Sequence, residues 1–385
     1  MSLPCVLVAG GGTGGHVFPG LAVAEALRSL TAVQVVFCGS PRGVEARIVP
    51  AAGWSLELLD VAPMQGGGAA RAVRGALVAG MATARSFAVL SRWRPRVVLS
   101  VGGYASGPVS LAAALCGVPV ALLETNSVVG LANRILAPVA RRAYVAYESA
   151  AGRFPKRIRR TFGVPLRAGF ARAPYVPRDV PRVLVMGGSQ GAEALNERVP
   201  QALGRLRGHR AIEVLHQSGR GREPVVRAAY ERAGIHADVV PFVDDPANAM
   251  AASDLIVSRS GSATLAEISA IGRAALLIPF PHATGDHQRY NAEEVARLGA
   301  AVCVAQDLAT VERIASDIER LLADVPLRTA MAEAAARRGR PGAAREIAID
   351  LLALAGIDRR ERPGDDDDRR RADRTRSAGP RTGEA

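Results

Sequence analysis

Two α/β domains, each wound on a parallel sheet and facing each other across a cleft, are the fold class the sequence predicts. Three observations carry it. Short apolar strands alternate with helical stretches along most of the 385 residues, the pattern of parallel βαβ units. The alternation occurs twice, and the two series resemble each other. Four of the strand ends run into glycine- or serine-rich loops that open helices. In the first series the strands are expected at 4–9, 33–38, 97–101, 118–123 and 143–147. In the second they fall at 182–186, 211–216, 238–241, 254–258, 274–279 and 301–304. VLVAGG (6–11) leads through a helix to VQVVFCGS (33–40), and VLVMGG (183–188) leads through a helix to IEVLHQSG (212–219). That is an internal repeat on the scale of a Rossmann-like domain. A Pro- and Arg-rich stretch at 162–182 reads as the linker, which sets the domains at 1–165 and 166–340. Residues 341–357 read as a last helix. From Asp358 the charged tail, with its DDDDRRR run, lacks periodicity and reads as disordered.

Charge divides the chain unevenly. Residues 1–170 carry 18 basic and 6 acidic side chains; residues 171–357 carry 22 of each. Nearly all of the net +13 therefore sits on the first half, where it suits an anionic partner. Between Asp60 and Glu124 there are six arginines and no acid. Coding bias accounts for arginine over the single lysine, but not for the balance of the second half. Cys5, Cys38, Cys116 and Cys303 lie far apart with no CxxC. Buried thiols in a reducing compartment are expected, not a disulfide framework or a zinc site. No signal peptide is expected at MSLPCVLVAG, and no transmembrane span.

The first loop, GGGTGG at 10–15, places five glycines in six positions after a strand. Without side chains a backbone can approach a phosphate, and helix-end amides favour its charge. Gly10, Gly12 and Gly15 match the dinucleotide fingerprint literally. That reading also needs an acid at the end of the second strand, which here is Phe37-Cys38-Gly39. Similar junctions follow at SVGGYASGP (100–108), GGSQGA (187–192) and SRSGSATLAE (258–267). Together they point to a ligand in a cleft at the carboxyl ends of two sheets. Glu267 is placed to accept hydrogen bonds from ribose hydroxyls. His282, Asp286, His287, Gln288 and Asn291 gather in PFPHATGDHQRYNAEEV (279–295). Their spacing lacks a zincin histidine pair, so a polar ligand is expected there and no metal.

GGTGGHVFPGLAVAEAL (11–27), GGYASGP (102–108), GGSQGAEALN (187–196), SRSGSATLAEI (258–268) and DHQRYNA (286–292) stand in order along the chain. Over residues 3–355 the set resembles the MurG family, the bacterial N-acetylglucosaminyltransferases that convert lipid I to lipid II in peptidoglycan synthesis. The resemblance implies a GT-B architecture with the last helix returning to the first domain. It implies UDP-N-acetylglucosamine as donor, held mainly by the second domain. It implies undecaprenyl-diphospho-MurNAc-pentapeptide as acceptor, held mainly by the first domain, at the cytoplasmic face of the inner membrane. Other cell-wall and division proteins are implied as companions; no cofactor and no nucleic acid is expected.

By matching motif, Thr13, Gly14 and Gly15 line the donor site from the first domain. Asn126 matches the asparagine that contacts the sugar, and Arg167 the arginine near the diphosphate. Ser189 lies in the second-domain glycine loop, and Val243 matches the residue whose backbone reads uracil. Ser262, Ala263, Thr264, Leu265, Ala266, Glu267 and Gln288 complete the donor contacts. Gly103 and Tyr104 are assigned to the acceptor. The family's HEQN is LETN here, with Leu123 and Thr125, and its GNPVR is GVPLR, with Val164. Neither departure removes Asn126 or Arg167.

The chemistry expected is one inverting displacement, with His16 as the base and no metal. In 69–93, Arg71, Arg74, Arg85 and Arg92 fall within about a 60° arc of a helix at 100° per residue. They are read as a membrane-contacting stripe with Val78 and Met81 beside it, and Ala72, Ala76, Thr83, Phe87 and Leu90 as the inward face. Two other readings fit parts of the pattern. One is a GT-B enzyme with another acceptor, or a UDP-sugar epimerase. The other is a basic nucleotide-binding scaffold without activity.

Overall fold

A computed structural model describes residues 3–60, 69–188, 191–208 and 211–358, with 69–79 described by backbone alone. The first domain runs β1 (Cys5–Gly10), α1 (Gly14–Leu30), β2 (Gln34–Gly39), α2 (Glu45–Ala51), β3 (Ser55–Leu58), α3 (Ala69–Trp93) and β4 (Val97–Gly102). It continues through α4 (Ser106–Leu115), β5 (Val120–Glu124), α5 (Leu131–Leu136), β6 (Arg142–Val145), α6 (Glu148–Ala151) and β7 (Arg159–Thr161). Its seven strands, all parallel, lie in the order β3-β2-β1-β4-β5-β6-β7. Residues 162–181 carry no helix or strand.

The second domain runs β8 (Arg182–Met186), α7 (Glu193–Arg205), β9 (Glu213–Gln217), α8 (Glu223–Ala233), β10 (Asp238–Val240), α9 (Pro246–Ala251) and β11 (Leu255–Ser258). Then come α10 (Ser262–Ile271), β12 (Ala275–Leu277), a 3₁₀ turn (Thr284–Asp286), α11 (His287–Arg297), β13 (Ala301–Cys303), α12 (Val311–Ala323), α13 (Val325–Arg338) and α14 (Ala343–Ala355). Six parallel strands lie in the order β10-β9-β8-β11-β12-β13.

The central strands are buried along their whole length, because helices cover both faces of each sheet. Each sheet accordingly has two apolar layers. In each domain the strand order reverses at one point, between β1 and β4 and between β8 and β11. Loops leaving adjacent strands there diverge to opposite faces and leave a crevice at the carboxyl edge. The four glycine junctions are the loops after these four strands.

β3 and β7, at the two edges of the first sheet, are missing from the expected strands. SLEL and RRT are short and incompletely buried, so they lack the apolar run that marks the interior strands. The uncharged run 97–123 is divided into β4, α4 and β5. No described helix is long and apolar enough to cross a membrane. Cys5 and Cys38 are buried in β1 and β2. Cys116, expected inside, is exposed at the end of α4, and Cys303 is half-buried.

The inward face of α3 also differs from expectation. Ala82, Ser86, Val89 and Leu90 are buried, whereas Phe87 is exposed. At 100° per residue the buried face is turned by roughly 80° toward the arginine side. Small side chains let α3 lie close against α4, and a phenyl ring does not fit that spacing. Arg85 is exposed. Arg92 pairs with Glu57 at 3.2 Å and lies 5.4 Å from the Trp93 ring centre. The side chains of Arg71 and Arg74 lie outside the described residues.

Helix α14 belongs to the first domain's core although it ends the second domain's chain. Ile347, Ala348, Leu351 and Leu352 pack with Val6, Val8, Leu99 and Tyr144. Asp350 takes hydrogen bonds at 2.9 Å from Arg142 Nε and from the Tyr144 hydroxyl. Burying one such leucine contributes ~1.5–3 kcal/mol. Leu351→Ala is therefore expected to destabilise the first domain by ~2–5 kcal/mol. In a denaturant titration, the transition reported by Trp54 and Trp93, both in the first domain, should move to lower denaturant.

Candidate functional site

The two carboxyl edges meet across a cleft. His16 stands in the first turn of α1, half-buried, with Nδ1 3.2 Å from the Gly11 carbonyl oxygen and 3.3 Å from Thr13 Oγ1. The carbonyl can only accept, so Nδ1 carries the hydrogen and the Nε2 lone pair is free. Burial pushes its pKa below 6.5, and the nearby His287 pushes the same way; the Gly11 bond and Glu45 partly oppose them. The imidazole lies against Gly102: a methyl there would stand 3.0 Å from Nε2.

Glu45 is the residue that sequence reasoning missed. It opens α2, is 1% exposed, and accepts hydrogen bonds from Gly12 N at 2.7 Å and Ser40 N at 2.9 Å. A Cβ at Gly11, Gly39 or Gly43 would stand within 2.5 Å of its carboxylate or Cγ. Those glycines make room for a buried carboxylate, not for a ligand. Gly103 likewise packs against the Gly11 carbonyl, where a Cβ would come to 2.2 Å. Around Gly12 and Gly15 the space is open. The signal in the sequence was the glycine pair 39 and 43 ahead of an isolated acid, legible only once the fold joins it to a loop 33 residues away.

The other first-domain candidates lie around this loop. Thr13 is exposed, Gly14 and Gly15 begin α1, and Tyr104 is 47% exposed beyond β4. Asn126 follows β5. Buried Glu124 orders that turn by accepting from Asn126 N, Gly130 N and Asn133 Nδ2, at 3.1, 2.8 and 3.0 Å. Arg167, between the domains, lies 5.2 Å from the Phe18 ring centre on α1.

From the second domain, Ser262, Ala263, Thr264, Leu265, Ala266 and Glu267 form the first two turns of α10. Leu265 and Ala266 are buried and hold the helix to its sheet. Burial pushes the Glu267 carboxyl up to about 7, while the Arg167 guanidinium pulls the other way. Gln288, on the first turn of α11, is fixed in sense. Its Oε1 accepts from Phe280 N at 3.1 Å and Ser260 N at 3.3 Å, and no described residue accepts from its Nε2. Val243 is buried between β10 and α9. Ser189 lies outside the described residues. Its loop ends at α7, where a Cβ on Gly191 would come 2.2 Å from the Ser218 carbonyl oxygen.

His16, Asn126, Arg167, Glu267 and Gln288 are thus brought to one cleft, with Val243 further along the second-domain edge. Arg85 and Arg92 are on α3, away from it. The cleft offers a neutral imidazole, two carboxamides, a guanidinium and helix N-termini. That set can accept a proton, orient hydroxyl and amide groups, and hold an anionic leaving group.

Comparisons with known proteins agree with this arrangement. The glycosyltransferase family 28 N-terminal domain matches residues 6–145, and the family's C-terminal domain matches residues 182–347. A UDP-N-acetylglucosamine–N-acetylmuramyl-(pentapeptide) pyrophosphoryl-undecaprenol N-acetylglucosamine transferase of Sorangium cellulosum is 52% identical over 357 residues, 91% of this chain and 88% of that protein. The transferase of the same name from an Anaeromyxobacter species is 43% identical, over 91% of this chain and 92% of its own. The crystal structure of Acinetobacter baumannii MurG superposes with a TM-score of 0.77 at 31% identity, covering 91% of this chain and 99% of that one. Two matched domains, an identity above half along nearly the whole chain and a shared two-sheet architecture place this chain in the MurG family of N-acetylglucosamine transferases.

Proposed function

We propose that this chain moves N-acetylglucosamine from UDP-N-acetylglucosamine to the 4-hydroxyl of the muramyl sugar in lipid I, forming the β-1,4 link of lipid II. The observation that carries the mechanism is a neutral His16, its Nδ1 committed to Gly11 and its Nε2 free. The acceptor oxygen attacks the anomeric carbon from the face opposite the nucleotide. As the new C–O bond forms, the hydroxyl proton passes to Nε2. The anomeric C–O bond to the diphosphate breaks, its electron pair leaves with UDP, and the configuration inverts.

The donor is held mainly by the second domain and the acceptor mainly by the first. On the donor side, Val243 reads the base with its backbone and Glu267 accepts from the ribose hydroxyls. Gln288 and Asn126 hold the sugar. Arg167, the Thr13–Gly15 turn, Ser189 and the α7 and α10 N-termini offset the charge that grows on the diphosphate, each dipole contributing ~0.3–2 kcal/mol. Gly103 and Tyr104 flank the acceptor.

The first domain also faces the membrane in this reading. The support is its excess of 18 basic over 6 acidic side chains in residues 1–170. Helices α3, α4 and α5 also leave Met81, Phe87, Leu111, Leu115, Leu131 and Ile135 exposed, with Arg85 and Arg134 among them. Each arginine near an anionic surface adds ~1 kcal/mol. The enzyme works there at the cytoplasmic leaflet, beside other cell-wall and division proteins.

Four outcomes are expected. His16→Ala should lower kcat by ~10²–10⁴ with UDP affinity kept, measured as acceptor-dependent UDP release. Because the imidazole pKa is held below 6.5 and the base works only when neutral, the acid limb of the wild-type profile should fall below pH 6.5; a limb above it contradicts the assignment. Glu267 binds ribose as the carboxylate, and its pKa lies at about 7. Calorimetric affinity for UDP-N-acetylglucosamine, whose esterified diphosphate does not titrate in this range, should therefore weaken by about tenfold between pH 8 and pH 6, and Glu267→Gln should abolish the pH dependence. Sedimentation with phosphatidylglycerol vesicles should fall as salt rises, and fall further in an Arg85→Glu, Arg134→Glu double variant.

A further inference from the structure

Asn291 lies on α11, one turn beyond Gln288. Its side chain is fully buried, yet it carries a whole primary amide with two donors and two acceptor sites. All four are filled. Oδ1 accepts from Ser127 N at 2.9 Å and Ser127 Oγ at 2.7 Å. Nδ2 donates to Asn126 Oδ1 at 3.2 Å and to the Ser260 carbonyl at 3.4 Å. Asn126 and Ser127 belong to the first domain, Ser260 and Asn291 to the second. One second-domain side chain therefore ties a loop of each domain to the other.

The orientation of this amide follows from its partners. Ser127 N can only donate, and the Ser260 carbonyl can only accept. Oδ1 must face the first and Nδ2 the second. Asn126 then has no choice either: its Oδ1 is occupied as an acceptor. Its Nδ2 lies 3.5 Å from Thr125 Oγ1 and also donates toward the buried Glu124 carboxylate. The oxygen end of the Asn126 amide is thereby turned to Asn291, and its Nδ2, with two hydrogens, is the end turned away.

We propose that Asn291 is a positioning residue for sugar transfer. It sets the sense of the Asn126 carboxamide, so that Asn126 meets the donor sugar as a hydrogen-bond donor, and only while the two domains are docked. The inference rests on the reading above that Asn126 touches the sugar. Asn126 and Gln288 then form a pair of amides, one from each domain, each with its oxygen held by protein.

An isosteric exchange separates this role from simple packing. In Asn291→Asp the carboxylate keeps both Ser127 bonds but faces the Ser260 carbonyl with an acceptor. It also draws the Asn126 Nδ2 inward and turns the Asn126 oxygen toward the sugar. Asn291→Ala removes the donor that holds the Asn126 oxygen and leaves only Glu124 to favour the present sense. If Asn291 only packs or docks the domains, either variant lowers thermal stability and UDP affinity along with turnover. If it sets the amide, Asp is the more harmful one.

The measurements are kcat/KM for UDP-N-acetylglucosamine with a lipid I analogue, and the affinity of UDP alone, with thermal unfolding as the folding control. Losing one oriented hydrogen bond should cost Asn291→Ala about tenfold in kcat/KM, and reversing it should cost Asn291→Asp about a hundredfold. UDP affinity should stay within about threefold in both, because UDP lacks the sugar. An Asp variant as active as the Ala variant overturns the proposal, and so does UDP affinity falling in step with turnover. Should the Asp variant not fold, Ser127→Ala takes its place. It removes one donor and keeps the Ser127 N–H that orients Asn291, so a loss as large as that of Asn291→Ala overturns the proposal. Should the wild type release no UDP with the lipid I analogue, the reaction assigned above falls. The amide assignment is then read from UDP-N-acetylglucosamine affinity, which Asn291→Asp is expected to lower at least about tenfold; an unchanged affinity overturns it.

Discussion

The Glu45 carboxylate beneath the first glycine loop is the contact on which the cleft depends. It holds the Gly12 and Ser40 amides, and the chain around it has given up three Cβ atoms to admit it. A loop left to itself would scatter over many conformations, since glycine loses more backbone freedom on folding than any other residue. Two hydrogen bonds to a buried acceptor, each ~1.5–3 kcal/mol when charge-assisted, select one. That conformation carries the Gly11 carbonyl, which selects the His16 tautomer. A loop rich in glycine thus becomes a rigid mount for the imidazole. Its flexibility in sequence is the means of fitting an anchor, and the open positions at Gly12 and Gly15 are what remain for a ligand.

The second constraint is topological. Two sheets that both expose their carboxyl edges to one cleft need more than a single linker to stay aligned. Helix α14 provides the second connection: chain that has completed the second domain contributes Ile347, Leu351 and Leu352 to the first core. The Arg142–Asp350–Tyr144 bonds fix its position along the sheet. The contacts across the cleft at the site include polar ones, Asn291 with Asn126 and Ser127, and Ser149 with Glu294 at 2.7 Å. An apolar anchor away from the site and a polar seam at the site suit domains that must separate to release product yet return to one register.

The interior strands and the four junction loops were legible in the sequence because a parallel strand covered on both faces is a continuous apolar run, and glycine marks its end. The edge strands SLEL and RRT were not, since a half-covered strand carries a mixed pattern. The face of α3 was misread for a related reason. Periodicity gives the angle between residues but not which flank the neighbouring helix takes, and α4 accepted Ala82 and Ser86 in place of Phe87. At the site, motif order identified residues that come together within the cleft. Glu45 stayed hidden because its function lies in a contact over 33 residues of separation, and no local pattern encodes that. Asn291 was visible as a polar residue near the others, but its four partner atoms come from two segments distant in sequence, and only folding assembles them.

The cleft also shows how an amide becomes specific. A carboxamide offers a donor and an acceptor on ends of nearly equal shape, so a free Asn or Gln recognises either kind of group. Specificity arises when protein occupies one end with partners that cannot reverse. Phe280 N and Ser260 N do this to Gln288, and Asn291 does it to Asn126. The two imposed senses come from different domains, so under the proposed assignment the sugar is read from both sides only when both domains are in place. Hydrogen bonds left unmade at buried polar groups cost more than those formed return. A sugar with the wrong group at either position would therefore leave a committed N–H unpaired, and the cleft would discriminate against it through a penalty already built into the folded protein.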